Sequence, residues 1–351
     1  MPIDVQDLAP FDIDEVLSPE WLTTALGRDL PGVLVGSTDV VEVLESTARK
    51  VRFTITYGND GGHRDLPTAL CVKGYFNPEL RQFGVTGLHE VRFYDGLADI
   101  VPIRAPKPRY TGINADGTHG LVIMDDVVAA GSAFFYQLDY YALETARLSL
   151  DELARLHAQF WEHELSAEDW LAPKIKNFPG FVPTDVMDDL LRGPRGDGFP
   201  AGMRDAARLK TAMSALADRY ATRPRTLIHA DAHLGNLFRT PDHRIGFVDW
   251  QNYEFGHWSM DVAYHLATAL DPAHRADQER ELLAFYLQRL AEEGGPHMSV
   301  DEAWEDYSVA PVYGYFLWAM TRRVVPHITE ELTQRLGKSV LDHDSLELLG
   351  V

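Results

Sequence analysis

The sequence predicts an α+β chain in two lobes, a small β-rich N-terminal lobe over residues 1–126 and a larger helical C-terminal lobe over residues 127–351. Three observations predict it. Segments rich in β-branched residues crowd the first third, segments with helical spacing of apolar residues fill most of the rest, and no repeat or low-complexity tract interrupts them. A hydrophobic content of 45% in 351 residues is enough for a real core.

Taken in order, "VGSTDVVEVLEST" and "KVRFTITYG" read as strands. The second alternates Val51, Phe53, Ile55 and Tyr57 against Arg52, Thr54 and Thr56, the pattern of a strand with one covered face. "GNDGGHRDLP" is dense in turn residues and reads as a hairpin loop, and "TALCVKGYF" as a third strand. "GVTGLHEVRFYDGLADI" has a helical rhythm, and "RAPKPRYTGI" and "THGLVIMDDV" are two more strands around a turn at "NADG". Beyond Asp126 the text turns helical. "TARLSLDELARLHAQFWEHEL" places Leu148, Leu150, Leu153, Leu156, Phe160 and Trp161 on an apolar side. "NFPGFVPTD" and "RGPRGDGFP" are irregular, and helical text returns in "MRDAARLKTAMSALADRYA", "SMDVAYHLATAL", "ADQERELLAFYLQRLAEEG" and "VAPVYGYFLWAMTRRVV".

Composition narrows the function classes. The formal charge of −21 disfavours nucleic acid and anionic membrane as partners, and it keeps a protein soluble whatever its function. The single cysteine, Cys71, excludes an internal disulfide framework and a cysteine-based zinc site. "MPIDVQDLAPFDIDE" lacks the basic and apolar regions of a secretory signal, and no apolar run is long enough to span a bilayer. A cytoplasmic protein is expected.

The chemistry concentrates in "TLIHADAHLGNLF", followed by "IGFVDWQ". His229, Asp231, His233 and Asn236 fall where short apolar runs break, and Asp249 closes the next strand. Phosphoryl transfer asks for a carboxylate near the attacking hydroxyl, metal ligands and a cation on the phosphates. H-x-D-x-x-x-x-N supplies an Asp and an Asn on one loop, and Asp and Asn oxygens are hard ligands suited to Mg²⁺. An Asx turn closing a strand is the plainer reading of a lone HxD.

The motif has company. "LIHADAHLGNLF", "GFVDWQ" and "GHWSMDVAYHL", in that order, resemble the protein-kinase-like superfamily in its small-molecule branch of aminoglycoside phosphotransferases, choline kinases and ecdysteroid-kinase-like proteins. The last group is the most similar in "GHWSMDVAYHL". Upstream, "LCVKGYF" resembles the strand that carries the ATP-lobe lysine, and "HEVRFYDGL" the helix with its glutamate partner. The resemblance implies a two-lobed kinase-like fold whose N-terminal lobe binds nucleotide, and a cleft for an ATP- and Mg²⁺-dependent transfer to the hydroxyl of a small acceptor. It implies that Asp231 takes or orients the acceptor proton, that Asn236 and Asp249 bind Mg²⁺, and that Lys73, paired with Glu90, meets the α- and β-phosphates. His229 would pack beneath the loop and Asp261 would accept its backbone hydrogen bonds. His233 faces the transferred phosphate or caps the turn; spacing leaves both open.

One departure stands out. The phosphate-covering hairpin should fall at "LESTARKV", which has no glycine, so Ser46 and Thr47 are the expected contributors of backbone N–H groups. The link "VIMDDV" should pass the adenine edge with backbone groups near Asp125 and Val127. The acceptor pocket is expected among the later helices and "NFPGFVP". In "VYGYFLWAM", Tyr313, Phe316 and Trp318 either pack the core or line a pocket for an apolar alcohol. Asp301, Glu302, Glu305 and Asp306 would suit an aminoglycoside, though acids also favour a helix start. An ecdysteroid-kinase-like phosphotransferase is the main expectation. An aminoglycoside phosphotransferase conferring antibiotic resistance is the alternative, and a catalytically silent nucleotide-binding pseudokinase is the reading from another class.

Overall fold

The computed structural model describes residues 8–58 and 66–351, so the turn-rich segment expected as a hairpin loop lies largely outside the described residues. The chain divides into two compact units. The first comprises Met1–Val101, Ala105–Ala133 and Val248–Asn252, and the second Pro102–Arg104, Phe134–Phe247 and Tyr253–Val351.

The first unit is built on strands β1 (Val35–Leu44), β2 (Arg49–Tyr57), β3 (Ala69–Gly74), β4 (Pro108–Ile113) and β5 (Gly120–Asp125). They form one antiparallel sheet in the order β1-β2-β3-β5-β4. The alternation in β2 works as the sequence predicts: Val51, Phe53 and Ile55 are at most 3% exposed. They pack with Leu70, Val72, Leu121 and Ile123, and with Trp21 and Leu22 of the helix Pro19–Leu26. Ser18 caps that helix by accepting from the Trp21 amide, and Pro19 sits in its first turn, where a missing N–H costs nothing. Each fully buried side chain of this size contributes roughly 1.5–3 kcal/mol. The intervening β2 and β3 residues, Lys50, Arg52, Cys71 and Lys73, alternate with the core residues and take the other face of the sheet. The "NADG" turn closes with the Gly117 amide donating to the Asn114 carbonyl, and Gly117 supplies a φ of 64°.

The second unit is mainly helical, with helices Leu143–Gln159, Thr184–Arg192, Ala206–Tyr220, Trp258–Ala269, Pro272–Glu292, Val300–Val309, Pro311–Met320 and Pro326–Asp342. Two short antiparallel pairs interrupt them: Thr226–Ile228 with Glu254–Gly256, and Leu237–Arg239 with Ile245–Phe247. All twelve residues of Trp258–Ala269 are buried, so the rest of the unit packs around this helix. Two expectations need correction. Leu148 is 43% exposed, whereas Leu150, Leu153, Leu156 and Phe160 are buried. Two residues before Leu150 is about 200° around a helix, which turns Leu148 to solvent. The helical text from Val309 also does not run through to Val325. Pro311 cannot continue a hydrogen-bond ladder, so it opens a new helix that ends at Met320.

Candidate active site

In the first unit the site is built around Lys73, near the end of β3. Its side chain is only 6% exposed, and its ammonium touches Glu90 Oε2 at 2.6 Å and Asp249 Oδ1 at 2.8 Å. Glu90 comes from the helix Gly84–Gly96, whose Val91, Phe93 and Tyr94 are buried. Asp249 comes from the segment Val248–Asn252, which is fastened to this unit through the two residues that follow Asp249. Trp250 stacks on Phe93 at 4.0 Å between ring centres, and Tyr75 donates to the Gln251 side chain. Burial alone would lower the Lys73 pKa, but the charges and hydrogen bonds of Asp249 and Glu90 outweigh it and hold the ammonium above its ordinary value. Lys73 is therefore a fixed positive charge.

Lys50 is a neighbour that sequence reasoning did not assign. It is the cross-strand partner of Lys73, and its ammonium lies 3.7 Å from Asp249 Oδ2. The paired register of β2 and β3 is the signal that brings it there. The tip between β1 and β2 closes without glycine: Ser46 Oγ donates to the Ala48 carbonyl at 2.6 Å, and Arg49 pairs with Glu45. Ser46 is exposed and Thr47 half-buried. At the end of β5, Asp125 is held by a bidentate Arg109 pair and its amide donates to the Lys107 carbonyl. The Val127 carbonyl accepts from the Ser132 amide.

In the second unit, the loop after Thr226–Ile228 is fixed group by group. Asp261 accepts the amides of His229 and Ala230, each at 2.7 Å, and the Asp231 amide donates to His229 Nδ1. His265 Nδ1 lies 2.8 Å from the Ala232 carbonyl, and Tyr313 donates to the Ala230 carbonyl. Burial pushes the Asp261 pKa up, but hydrogen bonding and charge from His157 and His229 more than reverse this, so Asp261 stays a carboxylate. The restraint holds strained backbone. Ala230 and, in the first unit, Asp249 have φ of 62° and 66°, a left-handed region that side chains other than glycine's resist and that clusters at functional sites.

Asp231 Oδ1 accepts from the Tyr264 hydroxyl at 2.7 Å, and that hydroxyl accepts from Trp318 Nε1 at 2.8 Å. His233 Nδ1 accepts from the Gly235 amide, capping the short turn Leu234–Asn236, and its Nε2 lies 3.9 Å from Asp231 Oδ1. Asn236 Nδ2 donates to the Asp231 carbonyl, which orients the amide with its oxygen on the other side. Tyr313, Phe316 and Trp318 are buried, so the aromatic stripe packs the core, and Trp318 does so within reach of the loop. Among the described residues no group of three or more His, Cys, Asp or Glu is arranged to hold a metal. Mg²⁺ asks for less: it binds through one or two side-chain oxygens plus phosphates and water. Asp249 in the first unit and Asn236 in the second each carry a side-chain oxygen of this kind.

A buried lysine–glutamate pair in one unit and a fastened HxDxxxxN loop in the other define a small-molecule phosphotransferase acting on a hydroxyl group. The sequence of residues 88–297 matches the Phosphotransferase enzyme family over more than half of the chain, and the chain belongs to that family. No curated protein matches the sequence significantly. Among solved structures it is similar to a choline kinase from Streptococcus pneumoniae (TM-score 0.52, 11% identity, covering 92% of this chain and 98% of that one). It is also similar to an ethanolamine kinase from Plasmodium vivax (TM-score 0.51, 13% identity, 91% and 86%) and to a choline kinase from Cryptosporidium parvum (0.50, 9%, 95% and 97%). At these identities the likeness shows the fold, which is the α+β, two-lobed protein-kinase-like one. No helix among the described residues is long and apolar enough to cross a membrane.

Proposed function

We propose that the protein transfers the γ-phosphate of ATP, with Mg²⁺, to a hydroxyl of a small, largely apolar alcohol, as an ecdysteroid-kinase-like enzyme. The observation that carries the reading is the ammonium of Lys73 held against both Glu90 and Asp249. A buried, permanently charged lysine beside a candidate metal ligand is what a triphosphate requires. In this reading Lys73 meets the α- and β-phosphates with Glu90 as its anchor, and Asn236 and Asp249 bind Mg²⁺, which would neutralise charge on the phosphates. Ser46 and Thr47 offer backbone N–H groups to phosphate, and the chain near Asp125 and Val127 meets the base. Nucleotide binding then belongs to residues 1–126 and acceptor binding to residues 127–351.

The acceptor oxygen attacks the γ-phosphorus, the bond to the β–γ bridging oxygen breaks, ADP leaves, and the hydroxyl proton passes to the Asp231 carboxylate. His233 adds a donor beside Asp231.

Two observations favour an apolar acceptor over an aminoglycoside. The acids that would attract a polycation are already engaged: Asp301 by Arg280, Glu305 and Asp306 by Arg219, and Glu302 in a capping box with Ser299. Phe181, 60% exposed, also offers an apolar ring at the surface, in ring contact with buried Phe178.

The test is acceptor-dependent ADP release with hydroxylated steroids, choline, ethanolamine and an aminoglycoside panel, using wild type and Asp231→Ala. Turnover on the steroids that Asp231→Ala abolishes, with nucleotide binding retained, is expected. Turnover on aminoglycosides alone would replace this reading with the resistance-enzyme one. Mg²⁺-dependent thermal stabilisation by ATP with no turnover on any acceptor would point to a pseudokinase.

A further inference from the structure

The helix Trp258–Ala269 presents Asp261, Tyr264 and His265 to the loop at positions i, i+3 and i+4, which lie on one helical face. Each takes a different part of the loop. Asp261 holds the amides of His229 and Ala230, Tyr264 the side chain of Asp231, and His265 the carbonyl of Ala232. Two of the three hold backbone. Tyr264 alone reaches the carboxylate itself, and it is 1% exposed, with its hydroxyl fixed in turn by Trp318 Nε1.

We propose that Tyr264 is a positioning residue for Asp231 and that Trp318 supports it; this rests on the catalytic reading of Asp231. A carboxylate turns about its Cβ–Cγ bond, and a hydrogen bond to Oδ1 fixes that rotation and hence the direction of the other oxygen. Trp318, as donor to the tyrosine oxygen, polarises the O–H that Tyr264 gives to Asp231 and strengthens it. The same indole lies edge-on to the His233 ring at 5.4 Å between centres, so the side chain that braces Asp231 also packs against its neighbour in the loop. Tyr264 thus acts on the rate of the chemical step rather than on the binding of either substrate.

Steady-state kinetics on Tyr264→Phe, Trp318→Phe, the double variant and Asp231→Ala test this. Loss of the orientation that this bond gives the Asp231 carboxylate should lower kcat roughly ten- to hundredfold in Tyr264→Phe. KM for acceptor and nucleotide should stay within about twofold, since ground-state binding is not touched. Trp318→Phe should lower kcat by a smaller factor, and the double variant should be no slower than Tyr264→Phe, because both act through one carboxylate. Wild-type kcat in Tyr264→Phe, with Asp231→Ala inactive, would overturn the proposal and leave the catalytic reading intact. Some loss of thermal stability follows from the proposal itself, since Trp318 Nε1 loses its acceptor, but a fall in nucleotide affinity alongside kcat would overturn it in favour of a packing role. Full activity in Asp231→Ala would remove the catalytic reading itself. If Tyr264→Phe does not fold, Trp318→Phe carries the test by the same split of kcat from KM, and a raised acceptor KM there overturns the supporting role.

Discussion

Replacing Lys73 by methionine keeps most of its volume and removes its charge. Glu90, 3% exposed, then loses its ammonium partner at 2.6 Å, and its Oε1 has no hydrogen-bond partner among the described residues. Breaking a buried ion pair by removing one partner costs roughly 3–5 kcal/mol. Asp249 fares better, because Lys50 stays 3.7 Å from its other oxygen and its side chain is 16% exposed. Glu90 therefore carries most of the cost. Adding Glu90→Gln replaces the stranded carboxylate with a neutral amide, whose burial costs roughly 1–3 kcal/mol. The double variant should accordingly be about 2 kcal/mol more stable than Lys73→Met alone. Hydrogen exchange at the β3 amides reads the opening of this sheet directly. A 2 kcal/mol difference appears there as a roughly thirtyfold slower exchange in the double variant. Equal or faster exchange would show that Glu90 is not held by Lys73, and the electrostatic account of the site would fall with it.

Lys50→Ala should weaken ADP binding roughly five- to tenfold and leave adenosine binding unchanged, as titration calorimetry would show, because only phosphates meet its charge. Lys73→Ala should weaken nucleotide binding more than Ser46→Pro or Thr47→Pro, which remove the backbone N–H groups; the reverse order in titration calorimetry would make the hairpin the true phosphate clamp. Glu254 is fully buried, and burial raises its pKa to about 7. Its native form thus holds a proton that the unfolded chain releases above about pH 4.5, so stability falls as pH rises from there to about 7. Glu254→Gln should flatten that slope, worth roughly 2–3 kcal/mol across the window by urea denaturation at stepped pH.

Much of this molecule is legible in one dimension. Alternation in Val51, Phe53 and Ile55 identifies the covered face of β2, and a strand lysine followed by a helix glutamate anticipates the pair of Lys73 with Glu90. Local patterns suffice there because period and face are properties of a few neighbouring residues. Contacts between distant segments are harder. Asp249 meets Lys73 across 176 residues, and no spacing rule signals that a candidate metal ligand will also partner the lysine. Lys50 becomes visible only once the register of β2 and β3 is known. The same holds for Tyr264: its place three residues after Asp261 puts both on one face, but the partner of its hydroxyl depends on how a loop thirty-three residues away is folded. Leu148 illustrates the opposite error: its apolar character suggests burial, but the helical angle turns it outward.

The helix that carries Asp261, Tyr264 and His265 has a consequence for how such a protein diverges. Three contacts to consecutive loop residues leave from one face, so a slip of that helix by a single residue, about 100° of rotation, would break all of them together. A shift of the helix cannot loosen the loop one bond at a time, whereas a single side-chain change can. Substitution at an exposed position such as Phe181 leaves all three contacts in place.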